Sequence, residues 1–150
     1  MRRGCVLTII VLSVIAFVIS VLLYVFVWPE TKRTATSEVA FVIEDALEQY
    51  KADQDGYPTG ADNASVVKAL YGENPRKKDY LVKMKSIIRD GQFTDYWRTP
   101  LQIELPATGA ASVISAGPDR NFGTEDDITS QPARERWGKP AEADDDTPAG

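Results

Sequence analysis

Acidic side chains concentrate in one short, glycine-containing loop of this sequence. Asp119, Glu125, Asp126 and Asp127 lie within nine residues, and the amide of Asn121 falls between them. Calcium takes about six to eight oxygen ligands, including main-chain carbonyls, in a flexible geometry that such a loop can supply. The loop therefore predicts a Ca²⁺ site, although a solvated acidic turn would have the same composition.

The spacing in this loop differs from that of an EF-hand. With Asp119 as position one, Gly123 falls at position five and Ser130 at position twelve. An EF-hand requires glycine at position six and glutamate at position twelve. We interpret the second acidic run, Asp144 to Asp146, as solvated.

The composition excludes several other kinds of chemistry. The 150 residues include no histidine and a single cysteine, Cys5. Disulfides within the chain, zinc sites built from cysteine and histidine, and Ser-His or Cys-His catalytic pairs are therefore excluded. A net charge of −5 argues against nucleic-acid binding. A hydrolase with paired carboxylates has only the acidic residues in its favour, so we predict that the protein is not an enzyme.

An uncharged run near the N-terminus predicts a transmembrane helix at residues 6–28. The run from Val6 to Trp28 contains 23 residues. At about 1.5 Å per residue, it exceeds the roughly 30 Å hydrocarbon core of a bilayer. It ends in Tyr24 and Trp28, which suit the outer interface, and a cleaved secretory signal would have a shorter run.

Arg2 and Arg3 precede this run, and Lys32 and Arg33 follow it. The adjacent arginines favour a cytoplasmic N-terminus. Everything after Pro29 would then face the periplasm or the exterior. A lipid anchor on Cys5 is a competing idea, but a lipoprotein signal places its apolar run before the cysteine, and here the run follows it.

The segment from Thr31 to Gln54 has the period of an amphipathic helix. Its apolar residues form one stripe along the helix, and Glu38, Glu44 and Glu48 fall largely on the opposite, polar side. At about 100° per residue, Phe41 lies roughly 200° from Val39, on this polar side, and its ring is therefore expected to face solvent. Glycine at position 56 is expected to end the helix in a left-handed conformation. The apolar stripe comprises Val39, Val42, Ile43, Ala46, Leu47 and Tyr50.

Further elements predict an α+β domain at residues 29–130. A short helix is expected to begin at Asp62 or Asn63 and to run to Gly72. Alternating segments at 101–105 and 112–115 predict an antiparallel hairpin. In the expected fold, the long N-terminal helix packs on a small antiparallel sheet. The tail at 131–150 lacks apolar periodicity and is predicted to be an acidic disordered segment.

Several short strings, in this order, resemble the major pseudopilin of type II secretion systems, a member of the type IV pilin-like family. They are DALEQYK at 45–51, GYPT at 56–59, ALYGENP at 69–75, DYWRTP at 95–100, and SAGPD at 115–119 with GTEDDI at 123–128. The resemblance implies a pilin-like fold and a structural subunit of a short periplasmic filament. Its partners would be copies of itself or other pseudopilins, and inner-membrane components of the secretion machine.

The resemblance also implies specific sites. The side chains of Asp119, Asp126 and Asp127 would bind Ca²⁺, together with main-chain carbonyls at Ala116 and Pro118.

A prepilin-type leader at residues 1–5 would be cut between Gly4 and Cys5. Family members usually begin the mature chain with Phe or Met and carry Glu at its fifth position, whereas this chain has Cys5 and Ile9.

Without that glutamate, apolar contacts between helices would have to supply more of the free energy of association. We predict that Phe41 makes one of these contacts. The alternative function is a monomeric, membrane-tethered, calcium-dependent binding module. Self-association through the long helix would favour the filament, and a solitary anchor would favour the module.

Overall fold

The computed structural model describes residues 2–60, 62–81 and 84–137, with side chains described in these ranges except at 2–10, 25–29 and 137. The first helix, α1, spans Arg2–Gln54. Residues up to Lys32 belong to one compact unit, and residues from Arg33 onward form a second.

In the first unit, the apolar side chains between residues 11 and 24 are exposed, and Phe17 and Tyr24 are each 71% accessible. Within the described residues, no helix combines the length and the apolar character needed to cross a membrane. The predicted span of 6–28 includes positions 6–10 and 25–28, whose side chains lie outside that description.

In the second unit, α1 buries one face, as the apolar stripe predicted, but its phase differs at two positions. Val42 is 39% exposed, whereas Glu44 is only 4% exposed. Glu44 tolerates burial because its carboxylate accepts the Val113 N–H and pairs with Arg134. Placing Val42 inside and Glu44 outside was therefore wrong. The apolar residues of the buried face are Val39, Ala40, Ile43, Ala46, Leu47 and Tyr50.

The end of α1 also differs in detail from the prediction. The left-handed residue is Asp55, with φ of 59°, and not Gly56. A short polar side chain such as aspartate tolerates this conformation better than most. The Gly56 N–H donates to the Lys51 carbonyl at 3.2 Å and closes the last turn.

The second helix, α2, spans Asn63–Leu70, which confirms the predicted start. Asp62 is the N-cap, and its carboxylate accepts the Ser65 N–H at 3.0 Å. This cap satisfies one of the main-chain donors that a helix start leaves free.

Two small antiparallel hairpins follow. Strands β1 (Ile88–Arg89) and β2 (Gln92–Phe93) come after a 3-10 turn at Lys85–Ile87 and were not predicted. Strands β3 (Gln102–Glu104) and β4 (Ser112–Ile114) pair as the alternating pattern predicted, with Ile103 opposite Val113.

The core lies where α1 and α2 meet these hairpins. Phe93 of β2 and Val113 of β4 are fully buried, together with Ile43 and Leu47 of α1. The predicted α+β class, with a long N-terminal helix and small antiparallel sheets, is confirmed.

The prediction of disorder from residue 131 was wrong over its first part. Gln131–Trp137 form a helix, α3, and Ala133 is 3% exposed. The segment is ordered because polar groups of α1 hold it. The remaining part of the predicted tail, 138–150, lies outside the described residues.

Candidate functional site

The acidic loop is closed at its base by main-chain pairing. Ser115 and Ile128 exchange two N–H to carbonyl hydrogen bonds, each 2.9 Å long. Just inside this pair, Gly117 has a φ of +64°, and a Cβ added there would lie 2.0 Å from the Asp126 carbonyl oxygen. The two arms of the loop therefore touch at Gly117, where only glycine fits.

Asp119 organises the outer turn of the loop. Its Oδ1 accepts the Asn121 N–H at 2.9 Å, and its Oδ2 accepts the Thr124 hydroxyl at 3.0 Å. These bonds fix the direction of the carboxylate. Each oxygen has a further lone pair for another donor or a cation.

Asp127 has one satisfied and one unsatisfied oxygen. Its Oδ2 accepts the Gly123 N–H at 2.7 Å. Its Oδ1 is buried and has no hydrogen-bond partner in the part of the chain that the structure describes. A buried carboxylate oxygen without a donor costs free energy unless a cation or a water molecule satisfies it.

Asp126 makes a different contact. Its Oδ1 forms an ion pair with Nη2 of Arg33 on α1, and both side chains are about one third exposed. The acidic loop is thus attached to α1 through one of its predicted calcium ligands. Sequence reasoning used Arg33 only as a flanking charge and missed this contact.

The predicted ligand set is gathered in one loop but not into one cluster. Among the described residues, no three His, Cys, Asp or Glu side chains converge as a metal site. Of the carbonyl region at 116–118, Ala116 is fully buried, and the Gly117 carbonyl accepts the Arg120 N–H at 3.3 Å. Oxygen atoms of this kind are the ligands that a hard cation such as Ca²⁺ prefers.

A second attachment follows the loop. Ser37 is 2% exposed, and its hydroxyl donates to the Thr129 carbonyl at 2.8 Å. The same oxygen accepts the Ala133 N–H at 3.2 Å. One serine on α1 therefore holds both the end of the loop and the start of α3.

Side chains of α3 cover the side of α1 that carries Phe41. Arg134 pairs with Glu44 at 2.6 Å, and its guanidinium lies 5.7 Å from the centre of the Phe41 ring. Arg136 reaches Glu38 at 3.4 Å. Phe41 is consequently half-buried, and the expectation that it points freely into solvent was wrong because α3 was not foreseen.

A separate polar cluster ties the end of α1 to the β3–β4 turn. The Tyr57 hydroxyl donates to Glu48, which also accepts the Ala111 N–H at 3.0 Å. Lys51 donates to the Gly109 carbonyl at 2.8 Å. Burial, and then the neighbouring carboxylate of Glu48, raise the pKa of Tyr57 to about 12.

The pKa of Glu48 responds in the opposite direction. Burial raises it, but the hydrogen bonds from Tyr57 and Ala111 and the charge of Lys51 together leave the Glu48 pKa below its usual value. The carboxylate therefore stays ionised and keeps both donors.

The predicted cleavage site at Gly4 and Cys5 lies where no side chains are described. Among the features that the sequence analysis missed, the helix α3 has the clearest pattern in the sequence. Ser130 followed by Pro132 is typical of a helix start. Serine can cap the first turn, and proline is tolerated there because the N–H that it lacks would have no partner within the helix.

Comparisons with known proteins point to one family. Residues 29–131 match the family described as type II secretion system (T2SS), protein G. Type II secretion system core protein G of Escherichia coli (strain K12) is 32% identical over 105 residues, which cover 66% of this chain and 66% of that relative. The alignment thus spans just under two thirds of the curated relative. No solved structure matches the chain.

Proposed function

Because the chain belongs to the type II secretion system protein G family, we propose that it is a structural subunit of a type II secretion pseudopilus. The observation that carries this proposal is the family match over residues 29–131. That segment includes the second half of α1, both hairpins and the acidic loop. In this role the protein acts through assembly and not through catalysis.

We further propose a membrane anchor at residues 6–28, with the N-terminus in the cytoplasm and the domain from residue 29 in the periplasm. The uncharged run from Val6 to Trp28 and the arginines at positions 2 and 3 support this arrangement. A prepilin-type leader would be removed between Gly4 and Cys5.

The partners proposed for this subunit are further copies of the chain, other pseudopilins and inner-membrane components of the secretion machine. We propose Phe41 as a contact between neighbouring α1 helices. The ring is only half-buried by α3, so part of its apolar surface remains available.

The test is chemical crosslinking of the full-length chain in native membranes. We expect ladders of crosslinked subunits for the parent protein and weaker ladders for Phe41→Ala. Val42→Ala is the matched control, since Val42 is also apolar and exposed on α1, and its ladder should remain. A parent protein that gives no ladder would contradict the filament and favour the monomeric, membrane-tethered, calcium-dependent binding module.

We also propose that the acidic loop binds Ca²⁺. Asp119, Asp126 and Asp127 would hold the ion with main-chain carbonyls at Ala116 and Pro118. The ion would neutralise adjacent carboxylates that otherwise repel each other. Its effect would be structural, because a ligand that binds only the folded state stabilises that state.

Thermal melts of the full-length chain in mild detergent test the calcium site. At 100 times its dissociation constant, calcium should add about 2.7 kcal/mol, a rise of order ten degrees for a domain of this size. Asp127→Asn keeps an acceptor for Gly123 and should lose most of the rise. Asp145→Asn, in the second acidic run of the sequence, should keep it. Superimposed melts in calcium and in chelator would contradict the site.

A further inference from the structure

Arg33 occupies part of the loop that a bound cation would also need. It is the first residue of the second compact unit, and its guanidinium pairs with Oδ1 of Asp126. Asp126 is at the same time one of the proposed calcium ligands. A permanent positive charge of the chain itself is therefore placed on the acidic loop.

The geometry around Asp126 is fixed from both sides. On one side, its main-chain carbonyl lies against Gly117, where a side chain would not fit. On the other side, Ser37 binds the Thr129 carbonyl at 2.8 Å. Arg33 and Ser37 are four residues apart and so share one face of α1. Together they hold the segment 126–129 along the helix.

The charges explain why this contact matters. Asp126 and Asp127 are adjacent and repel each other when both are ionised, and the Arg33 guanidinium offsets part of that repulsion. A calcium ion would offset the same repulsion. Since the two cations act on one carboxylate, each should weaken the attraction of the loop for the other.

We propose that Arg33 is a built-in counter-cation of the acidic loop, which stabilises the loop without metal and lowers its calcium affinity. This inference rests on the proposed calcium site. The calcium site would also be coupled to α1, because coordination of calcium by the Asp126 carboxylate would weaken its ion pair with Arg33.

The experiment is a calcium titration of thermal stability with the full-length chain in mild detergent. Arg33→Gln removes the charge and keeps a polar, though shorter, side chain. In chelator, this variant should melt below the parent protein. Its calcium midpoint should fall two- to fivefold, roughly the factor expected for one partly exposed ion pair.

Arg136→Gln is the matched control. Arg136 also joins the C-terminal region to a carboxylate of α1, but it contacts Glu38 and not the loop. The control removes the same net charge but leaves the ion pair between Arg33 and Asp126 in place. Its calcium midpoint should therefore equal that of the parent. Arg33→Lys keeps the charge and should lie nearer to the parent than Arg33→Gln does.

Two negative results can be told apart. If the parent, Arg33→Gln and Arg136→Gln all respond to calcium with the same midpoint, the role of Arg33 is wrong and the calcium site stands. If none of the three responds, the calcium site itself is wrong, and the inference about Arg33 fails with it. The crosslinking test of the filament is independent of both.

Discussion

Asn63 joins three segments of the chain through one buried side chain. Its amide donates to the carbonyls of Phe93 and Leu101, at 2.9 and 2.7 Å, and its carbonyl accepts the Phe93 N–H at 2.6 Å. The first residue of α2 is thereby attached to β2 and to the chain just before β3. Apolar packing alone would not fix this register.

Replacement of Asn63 by alanine should therefore destabilise the domain substantially. Each buried main-chain group left without a partner costs about 1–3 kcal/mol, so we expect a loss of at least ~2 kcal/mol in chemical denaturation. Asn74→Ala is the control. Asn74 also makes three hydrogen bonds to main chain, but it is half-exposed, and water can replace them. Equal losses for the two variants would contradict this account.

The hydrogen bond between Tyr57 and Glu48 predicts a pH effect in the alkaline range. The Tyr57 pKa is raised by burial and by Glu48 to about 12, from an ordinary value of 10.0. A raised folded-state pKa contributes stability that is complete below the unfolded pKa. This contribution is lost as the pH rises from about 10 to about 12.

The measurement is the melting temperature of the parent and of Tyr57→Phe as a function of pH. The variant lacks the hydroxyl, so its curve should fall less steeply above pH 10, and the two curves should converge near pH 12. Parallel curves over this range would show that Tyr57 does not carry the effect.

At the scale of elements, α3 supplies the positive charge that pairs with a buried carboxylate of the domain. Glu44 accepts one N–H from β4, and its other partner among the described residues is Arg134 of α3. All but the first residue of α3 lies beyond the segment matched by the family. The helix is thus an extension on which a buried group of the family domain depends.

Loss of Arg134 should destabilise the domain more than loss of Arg136. A hydrogen bond to a charged group contributes about 1.5–3 kcal/mol, and Glu44 is almost fully buried. Arg136 and Glu38 are both about half-exposed, and such pairs contribute about 0–1 kcal/mol. We expect Arg134→Gln to lower the melting temperature by several degrees and Arg136→Gln to have little effect.

Elements with strong local signals could be predicted from the sequence. The start of α2 followed from its aspartate cap, and the β3–β4 hairpin followed from strict alternation. The β1–β2 hairpin was missed because each strand has only two residues, too few to show a period. The phase of α1 failed at Glu44 because long-range partners, from β4 and α3, override the local preference of a charged residue for water.

The candidate site could be predicted in composition but not in its contacts. The acidic loop was found from its residue types alone. Its attachment to α1 joins residues 93 positions apart along the chain, and neither spacing nor periodicity reports such a pairing. The predicted exposure of Phe41 failed for the same reason.

At the scale of the whole molecule, the proposed topology has a direct test. A reporter that is active only outside the cytoplasm, fused after Gly150, should give activity in cells, and a reporter active only in the cytoplasm should not. Fusion at the C-terminus leaves α3 in place. The reverse pattern would require the opposite orientation of the 6–28 segment.

Gly117 and Gly123 of the acidic loop are under different structural constraints, so the two positions should differ in the substitutions that they tolerate. At Gly123, with φ of +84°, an added Cβ meets nothing within 4 Å, so only the backbone conformation is constrained. At Gly117 the same atom would collide with the opposite arm. In a saturation library scored for folded protein, asparagine should survive at position 123, because it tolerates left-handed backbone, and no side chain should survive at position 117.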